Sequence, residues 1–307
     1  MSASAGGKGQ GWLDTFLAWY FVTVWGSGFL ASKVALQYAP PFTMLTLRYL
    51  LAMACMVPVL LITRPHWPAT RREFGHVIVA GLLMHAIHLS GSHYSQYLGL
   101  SAGITALVMS LQTLATAVIV SRWMSERLDA LQWTGVVVGL AGVTLVVWHK
   151  IDVQELPIGS LVALAVGLTA ITAGTLYQKI FCPKTDLKAG AFIQFAASSA
   201  FLMPLALFIE GAPVEWRWEL FAALAFLVVL ASILATNALN TLMRHGQATR
   251  VTSLIYLTPI IAVAVEYPMF GVVPSALSLV GIAVTCAGVA LVTWRSRSLG
   301  SIASGEV

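Results

Sequence analysis

Charge is what this 307-residue sequence has least of: 9% of its residues are Asp, Glu, Lys or Arg, while 58% are hydrophobic. A water-soluble globular domain usually carries about 25% charged residues, because these residues cover its surface. The charged residues here are too few for a soluble protein of this size, but they suffice for the loops of a helical bundle in lipid. The composition therefore excludes a cytosolic enzyme and a nucleic-acid-binding protein.

Cysteine and catalytic motifs are also scarce. The spacing of Cys55, Cys182 and Cys286 fits neither a disulfide framework nor a metal site. The sequence has no Walker A motif and no Gly-x-Ser-x-Gly motif. Basic residues stand singly or in pairs at the ends of apolar runs, so the pI of about 9.2 indicates membrane topology rather than a nucleic-acid partner. We expect no enzymatic activity, cofactor or metal.

Long apolar runs are what the sequence has instead. About 20 apolar residues cross the hydrocarbon core of a bilayer as a helix. Ten such runs predict an all-α integral membrane protein with ten transmembrane helices, at about residues 13–32, 41–62, 76–97, 102–122, 130–148, 157–178, 188–209, 219–242, 249–268 and 275–294. Residues 1–11 are expected to be disordered, and residues 295–307 to form a tail.

The distribution of Lys and Arg predicts the orientation. Cytoplasmic loops of membrane proteins are enriched in these residues. With a cytoplasmic N-terminus, thirteen basic residues lie inside and three lie outside, namely Lys33, Lys150 and Arg217. Both termini are therefore predicted to be cytoplasmic.

An internal repeat with a fixed offset of 146 residues runs along the chain. Residues 130–148 and 276–294 share ten identities in 19 positions, and Lys33 pairs with Lys179. Each half, 12–148 and 157–294, holds five predicted spans, an odd number, so the second half must enter the membrane from the opposite side. Inverted repeats of this kind are typical of secondary transporters that work by alternating access.

Short motifs recur in order in the two halves: Trp25-Gly26-Ser27 with Lys33, Pro41 with Arg48, Gly135 through Gly142, Lys179, Pro259, and Gly281 through Gly288. In these motifs the chain resembles the drug/metabolite transporter superfamily, in its ten-helix form with two EamA-type halves. The resemblance implies a carrier of the bacterial inner membrane that exports amino acids or other metabolites. The chain looks most like the exporters of neutral and aromatic amino acids.

Polar residues inside the spans mark candidate substrate contacts, because lipid offers them no hydrogen bonds. In the third span one helical face carries a polar stripe, which consists of His85, His88, Ser92 and Gln96. His93 lies on a neighbouring face. Such a stripe can bind a zwitterion or relay a proton, since imidazole titrates near neutral pH. Hydrogen bonding between helices is the alternative.

Further candidates lie in other spans. Asn237 and Asn240 offer donors and acceptors to an ammonium and a carboxylate group, although packing between helices explains them equally. The remaining candidate substrate contacts are Trp25, Gln112, Thr172 and Tyr256. The substrate cavity is expected between helices 1, 3, 4, 6, 8 and 9.

Other residues are assigned structural or gating roles. Arg48 either ties to backbone carbonyls or clamps a substrate carboxylate. Pro259 is expected to kink the ninth helix near its middle. Small residues let helices 5 and 10 approach closely, as a scaffold or as a homodimer interface; these are Gly135, Gly139 and Gly281.

The predicted function is export of neutral and hydrophobic amino acids, aromatic ones included. A nearly uncharged cavity disfavours phosphate-bearing substrates, which need Arg or Lys. A drug or other-metabolite exporter stays open, as do an intramembrane His-dependent enzyme and a receptor. We expect no functional Asp or Glu inside the spans, so proton antiport would have to use the histidines of the third span. Exchange and facilitated diffusion fit equally.

Overall fold

The computed structural model describes residues 6–123, 128–154, 157–211, 213–235, 238, 241–242 and 257–303. This part of the chain is helical, with no β-strand among its residues. It contains ten helices: α1 (Gly6–Ala35), α2 (Pro41–Thr63), α3 (Arg71–Tyr97), α4 (Ala102–Trp123), α5 (Ala130–Gln154), α6 (Ile158–Phe181), α7 (Leu187–Phe208), α8 (Trp218–Ala235), α9 (Thr258–Phe270) and α10 (Ala276–Ala303). The predicted fold class is confirmed.

Most of these helices are long and apolar enough to span a membrane. Among the described residues, seven helices, α2 to α8, contain stretches that are long and apolar enough to cross a membrane. Helix α9 and residues Ala276–Val292 of α10 are shorter apolar helices. The chain is therefore a multi-pass membrane protein.

Local sequence explains where several helices begin. Helix α2 starts at Pro41, at the first helical position, where a missing N–H costs nothing. Thr70 and Glu73 form a capping box at the start of α3, and the carboxylate of Asp186 accepts backbone N–H groups in the first turn of α7. These contacts satisfy N–H groups that would otherwise be unpaired.

Three boundaries differ from the prediction. Helix α1 begins at Gly6, inside the stretch expected to be disordered, because extending a helix costs far less than nucleating one. For the same reason α10 continues to Ala303, beyond the predicted end of the span. Helix α9 is described from Thr258, so Pro259 lies in its first turn, where proline is favoured, and not in its middle.

Backbone irregularities recur at repeat-equivalent places. Residues Leu82–Ile87 of α3 are π-helical, and their 146-offset equivalents, 228–233, lie inside the π-helical segment Phe226–Ala235 of α8. Pro58 within α2 and Pro204 within α7 are also 146 residues apart. The repeat therefore extends to backbone geometry.

The chain forms two compact units, and each unit takes helices from both repeats. The first unit comprises Met1–Leu30, Ala102–Val153 and Val229–Val307; the second comprises Ala31–Ser101 and Gln154–Val228. Helices α4, α5, α9 and α10 belong to the first unit, and α2, α3, α6 and α7 to the second.

In the second unit, α2 and α7 pack together as repeat equivalents. Tyr49 and Phe195, which are 146 residues apart, stack with ring centroids 5.4 Å apart. Leu45 and Leu202 lie in the same buried cluster as Tyr49. Glu210, just after the end of α7, accepts the backbone N–H of Phe42 at the start of α2, so the two helices run antiparallel.

In the first unit, α5 and α10 pack in the same way. A Cβ added at Gly135 would lie 2.7 Å from the carbonyl oxygen of Gly288, and one added at Gly281 would lie 2.8 Å from that of Gly142. The offset converts each of these pairs into the other. The order of the contacts makes the helices antiparallel, and equivalent helices that meet antiparallel are what inverted repeats produce.

Candidate functional site

Helix α3 carries the whole of the predicted polar stripe, and the members of the stripe differ in what they contact. His85 lies in the π-helical segment, and its Nε2 is 3.1 Å from Oε1 of Gln194. The amide nitrogen of Gln194 donates to Oε1 of Gln178 at 2.9 Å, so its oxygen is the atom left to accept from His85. Tyr49 donates its hydroxyl to the carbonyl of His85 at 2.9 Å. His85 thus ties α3 to α2, α6 and α7.

His88 makes a second tie between helices. Its Nδ1 lies 3.2 Å from the carbonyl oxygen of Gly167 in α6, and because a carbonyl only accepts, Nδ1 donates. One turn later α3 approaches α6 so closely that a Cβ on Gly91 would lie 2.8 Å from the Gly167 nitrogen. Two of the predicted substrate contacts, His85 and His88, therefore hold hydrogen bonds that connect helices.

The next turn of α3 is different, because its polar groups are buried without partners. Ser92, His93 and Gln96 are 0%, 2% and 5% exposed. By distance and angle, none of their side-chain nitrogen and oxygen atoms makes a hydrogen bond with the described residues; the ring of His93 only comes near the backbone carbonyl of Leu89, one turn earlier in the same helix. Each buried polar group left unpaired costs about 1–3 kcal/mol. The neighbouring Ser95 is satisfied, since its hydroxyl donates to the carbonyl of Ser92 at 2.7 Å.

The other predicted substrate contacts are spread over several helices. Trp25 is 46% exposed on α1, where its ring packs against Phe21. Gln112 is half-buried on α4. Thr172 is buried in α6, and its hydroxyl donates to the carbonyl of Leu168 in the same helix. Three candidates lie outside the described residues, namely Asn237, Asn240 and Tyr256.

The residues assigned structural roles are placed as follows. Arg48 is half-buried on α2, and both roles considered for it stay predictions. Pro259 is buried at the start of α9. The predicted small residues of α5 and α10 face each other within one chain: Gly135, Gly139 and Gly281.

A buried carboxylate in α9 has a capping role that the sequence did not predict. Glu266 is 2% exposed, and its two oxygens each accept a backbone N–H at 2.9 Å, one from Ala102 and one from Gly103. The expectation that the spans hold no carboxylate was therefore wrong. An acid near a helix N-terminus is stabilised by the unpaired N–H groups there and by the helix dipole. The signal in the sequence was a single Glu inside an apolar run.

A second carboxylate does the same in the other unit. Glu210, just after α7, accepts the backbone N–H groups of Phe42 and Thr43 at 2.7 and 2.8 Å, and the hydroxyl of Thr43 at 2.9 Å. It therefore fixes the end of α7 to the beginning of α2. In each unit a carboxylate from the second repeat therefore caps a helix of the first repeat. Glu266 lies in α9 and caps α4, the repeat equivalent of α9. Glu210 follows α7 and caps α2, the repeat equivalent of α7.

A cavity of about 550 Å³ lies in the first unit between α9 and α10. Its lining is almost wholly apolar and includes Ile260, Tyr267 and Leu279. It offers few hydrogen bonds to a polar solute. Elsewhere in the described part of the chain, no three His, Cys, Asp or Glu side chains come together in a way that could hold a metal ion.

An all-helical membrane protein built from two inverted repeats, with uncharged polar groups buried in an apolar helix, has the architecture of a secondary transporter. The sequence relationships agree. The chain belongs to the EamA-like transporter family, whose model matches residues 14–148 and again residues 157–294. The family match thus covers both repeats.

Similar proteins are named as transporters. The chain is 26% identical to the uncharacterized transporter YvbV of Bacillus subtilis, over 93% of each chain. It is 27% identical to the uncharacterized inner membrane transporter YedA of Escherichia coli, over 88% of this chain and 87% of that one. It is 23% identical to a probable amino-acid metabolite efflux pump of Salmonella typhimurium, over 90% of this chain and 93% of that one.

A protein of known crystal structure has the same fold. The two structures match with a TM-score of 0.65, over 92% of this chain and 98% of the other, at 17% sequence identity. At this identity the likeness concerns the fold alone.

Proposed function

We propose that this transporter exports neutral and hydrophobic amino acids, aromatic ones included, across the cytoplasmic membrane by alternating access. The observation that carries the proposal is the turn of α3 at Ser92, His93 and Gln96, whose buried hydroxyl, imidazole and amide groups carry no fixed charge of their own. Arg48 of α2 is close enough to interact electrostatically with His93, and its positive charge favours a substrate with a carboxylate. A zwitterion has no net charge but needs both donors and acceptors, and these groups supply both. The name of the Salmonella relative supports the same substrate class.

The proposed orientation places both termini in the cytoplasm, in keeping with the excess of Lys and Arg in the corresponding loops. The chain acts as a carrier and not as an enzyme: it binds an amino acid on one side of the lipid bilayer and releases it unchanged on the other. Gly135, Gly139 and Gly281, which the sequence also allows as a homodimer interface, lie in the contact between α5 and α10 of the same chain. This contact therefore requires no second copy.

The test is counterflow of radiolabelled Phe, Thr and Met in proteoliposomes of the purified protein, with protein-free liposomes as the control. We expect labelled amino acid to accumulate in vesicles preloaded with the same unlabelled amino acid. Lysine and a sugar phosphate, which carry net charge, should not exchange. Mass spectrometry of the recovered solute should show it unchanged, which separates transport from catalysis.

The second candidate is export of a drug or another small metabolite by the same fold. The apolar cavity between α9 and α10 favours it, because an apolar solute would fit there without hydrogen bonds. In that case the vesicles would exchange an uncharged hydrophobic drug but none of the three amino acids.

A further inference from the structure

We infer that Ser92, His93 and Gln96 form the subsite that binds the ammonium and carboxylate groups of the substrate, whereas His85 and His88 hold the helices together. The inference rests on the proposed function, since it names the residues that would recognise an amino acid. It also reverses the expectation from the sequence, in which His85 and His88 ranked with Ser92 as substrate contacts.

The first argument is the contrast along one helix. His85, His88 and Ser95 each have a protein partner, at 3.1, 3.2 and 2.7 Å. Ser92, His93 and Gln96 lie among them or one turn away, are also buried, and make no hydrogen bond of ordinary geometry with the described residues. Buried polar groups in proteins are nearly always paired, so groups that the fold leaves open point to a ligand or water.

The second argument is chemical fit. The hydroxyl of Ser92 donates once and accepts, the imidazole of neutral His93 donates from one nitrogen and accepts at the other, and the amide of Gln96 donates twice and accepts. Together they offer acceptors to an ammonium group and donors to a carboxylate. The three positions span little more than one helical turn, which rises roughly 5.4 Å. The three side chains therefore start from backbone positions close enough for the head group of one amino acid.

The third argument is accessibility. In the conformation described here the three side chains are closed off from solvent. A carrier that works by alternating access has to bury its binding groups in part of the cycle and expose them in another. A solute bound at this turn of α3 would therefore be sealed in by the conformation that the structure shows.

Thermal unfolding and transport, measured on the same purified variants, test the inference. Gln96→Leu and His93→Phe remove the unpaired groups and keep an apolar side chain of similar size. Without amino acid, we expect both variants to unfold at a temperature at least as high as the parent, because an unpaired buried group is lost. We also expect Phe to raise the unfolding temperature of the parent and not of the variants, with counterflow reduced about tenfold or more.

Two serines on the same helix give a matched control. Ser92→Ala should weaken Phe binding several-fold, whereas Ser95→Ala, which removes a hydroxyl already paired within the helix, should leave binding and counterflow within about twofold of the parent. Equal effects of the two changes would contradict the subsite.

Other outcomes also count against the inference. If Gln96→Leu or His93→Phe unfolds well below the parent or cannot be purified, the side chain has a partner in the fold and its role is structural. If both variants exchange Phe like the parent, these groups hold only water and the subsite lies elsewhere. In that second case the proposed function stands, since the parent transports; if the parent itself exchanges no amino acid, both proposals fall.

Discussion

At the scale of single residues, the main feature is that two carboxylates are held by backbone N–H groups of other helices. Glu266 and Glu210 hold their carboxylates against helix N-termini, where unpaired N–H groups replace the water that an ion would otherwise need. Two histidines of α3 are also held by other helices, since His85 and His88 each form a hydrogen bond from one ring nitrogen to a neighbouring helix.

Replacing Glu266 by Gln should reduce stability, because the charge and one of the two acceptor oxygens are lost while the N–H groups of Ala102 and Gly103 stay buried. We expect the free energy of unfolding to fall by about 1–3 kcal/mol, seen as a lower midpoint of thermal unfolding in detergent. Glu215→Gln is the matched control, because the Glu215 side chain is 63% exposed and its ion pair with Arg217 is long, at 3.9 Å. Equal midpoints for the two variants would show that the cap contributes nothing.

The sequence predicts the polar face of α3 but not the partners of its side chains. The stripe on α3 could be predicted, since helical spacing in an apolar span puts polar side chains on one face. Which of its members have partners could not, because Gln194 and Gly167, the partners of His85 and His88, lie 109 and 79 residues away along the chain. The capping role of Glu266 could not be predicted, because the N–H groups that stabilise it belong to another helix.

At the scale of helices, the two repeats meet through equivalent surfaces. Helices α5 and α10 are repeat equivalents that cross near a local twofold axis. Such a crossing brings equivalent positions of the two helices into contact, and here these positions are glycines. Side chains at such a crossing would collide, and glycine removes them. The sequence predicted the close approach and left open whether it was internal or between two copies; the partner helix is α10 of the same chain.

Gly288→Ala should therefore destabilise the first unit. An added Cβ would lie 2.6 Å from the carbonyl oxygen of Gly135, and backbone cannot move aside as a flexible side chain can. We expect a loss of about 1–3 kcal/mol, measured as thermal unfolding of purified protein. Gly75→Ala in α3 is the control, because a Cβ there meets nothing within 4 Å. Alanine favours the helix by up to about 1 kcal/mol over glycine, so a drop at Gly75 matching that at Gly288 would contradict the explanation.

At the scale of the whole molecule, the sequence predicted more than it did at the site. Ten apolar runs, the fixed offset of 146 residues and an odd number of spans in each half were enough for the fold class and the inverted repeat. These features could not show that each compact unit combines helices from both repeats. One unit contains α2, α3, α6 and α7, and the other contains α4, α5, α9 and α10. Contacts between halves decide that arrangement, and no local pattern encodes them.

The predicted orientation is open to a direct test in cells. Because cytoplasmic loops concentrate Lys and Arg, we expect a fluorescent protein fused to the C-terminus to fluoresce and alkaline phosphatase fused there to be inactive. A phosphatase fusion after Gly211, which follows α7 in a predicted outer loop, is the control and should be active. The opposite pattern would mean that the chain is inserted the other way round.

The central claim, that this EamA-family carrier moves amino acids through a polar turn of α3, is tested most directly by Phe counterflow in proteoliposomes of the parent and of Gln96→Leu. We predict saturable exchange by the parent, inhibited by unlabelled Phe, and exchange reduced about tenfold or more in a variant that is folded and no less heat-stable than the parent. Exchange by Gln96→Leu equal to that of the parent, or no exchange of Phe, Thr or Met by a folded parent, would contradict the account.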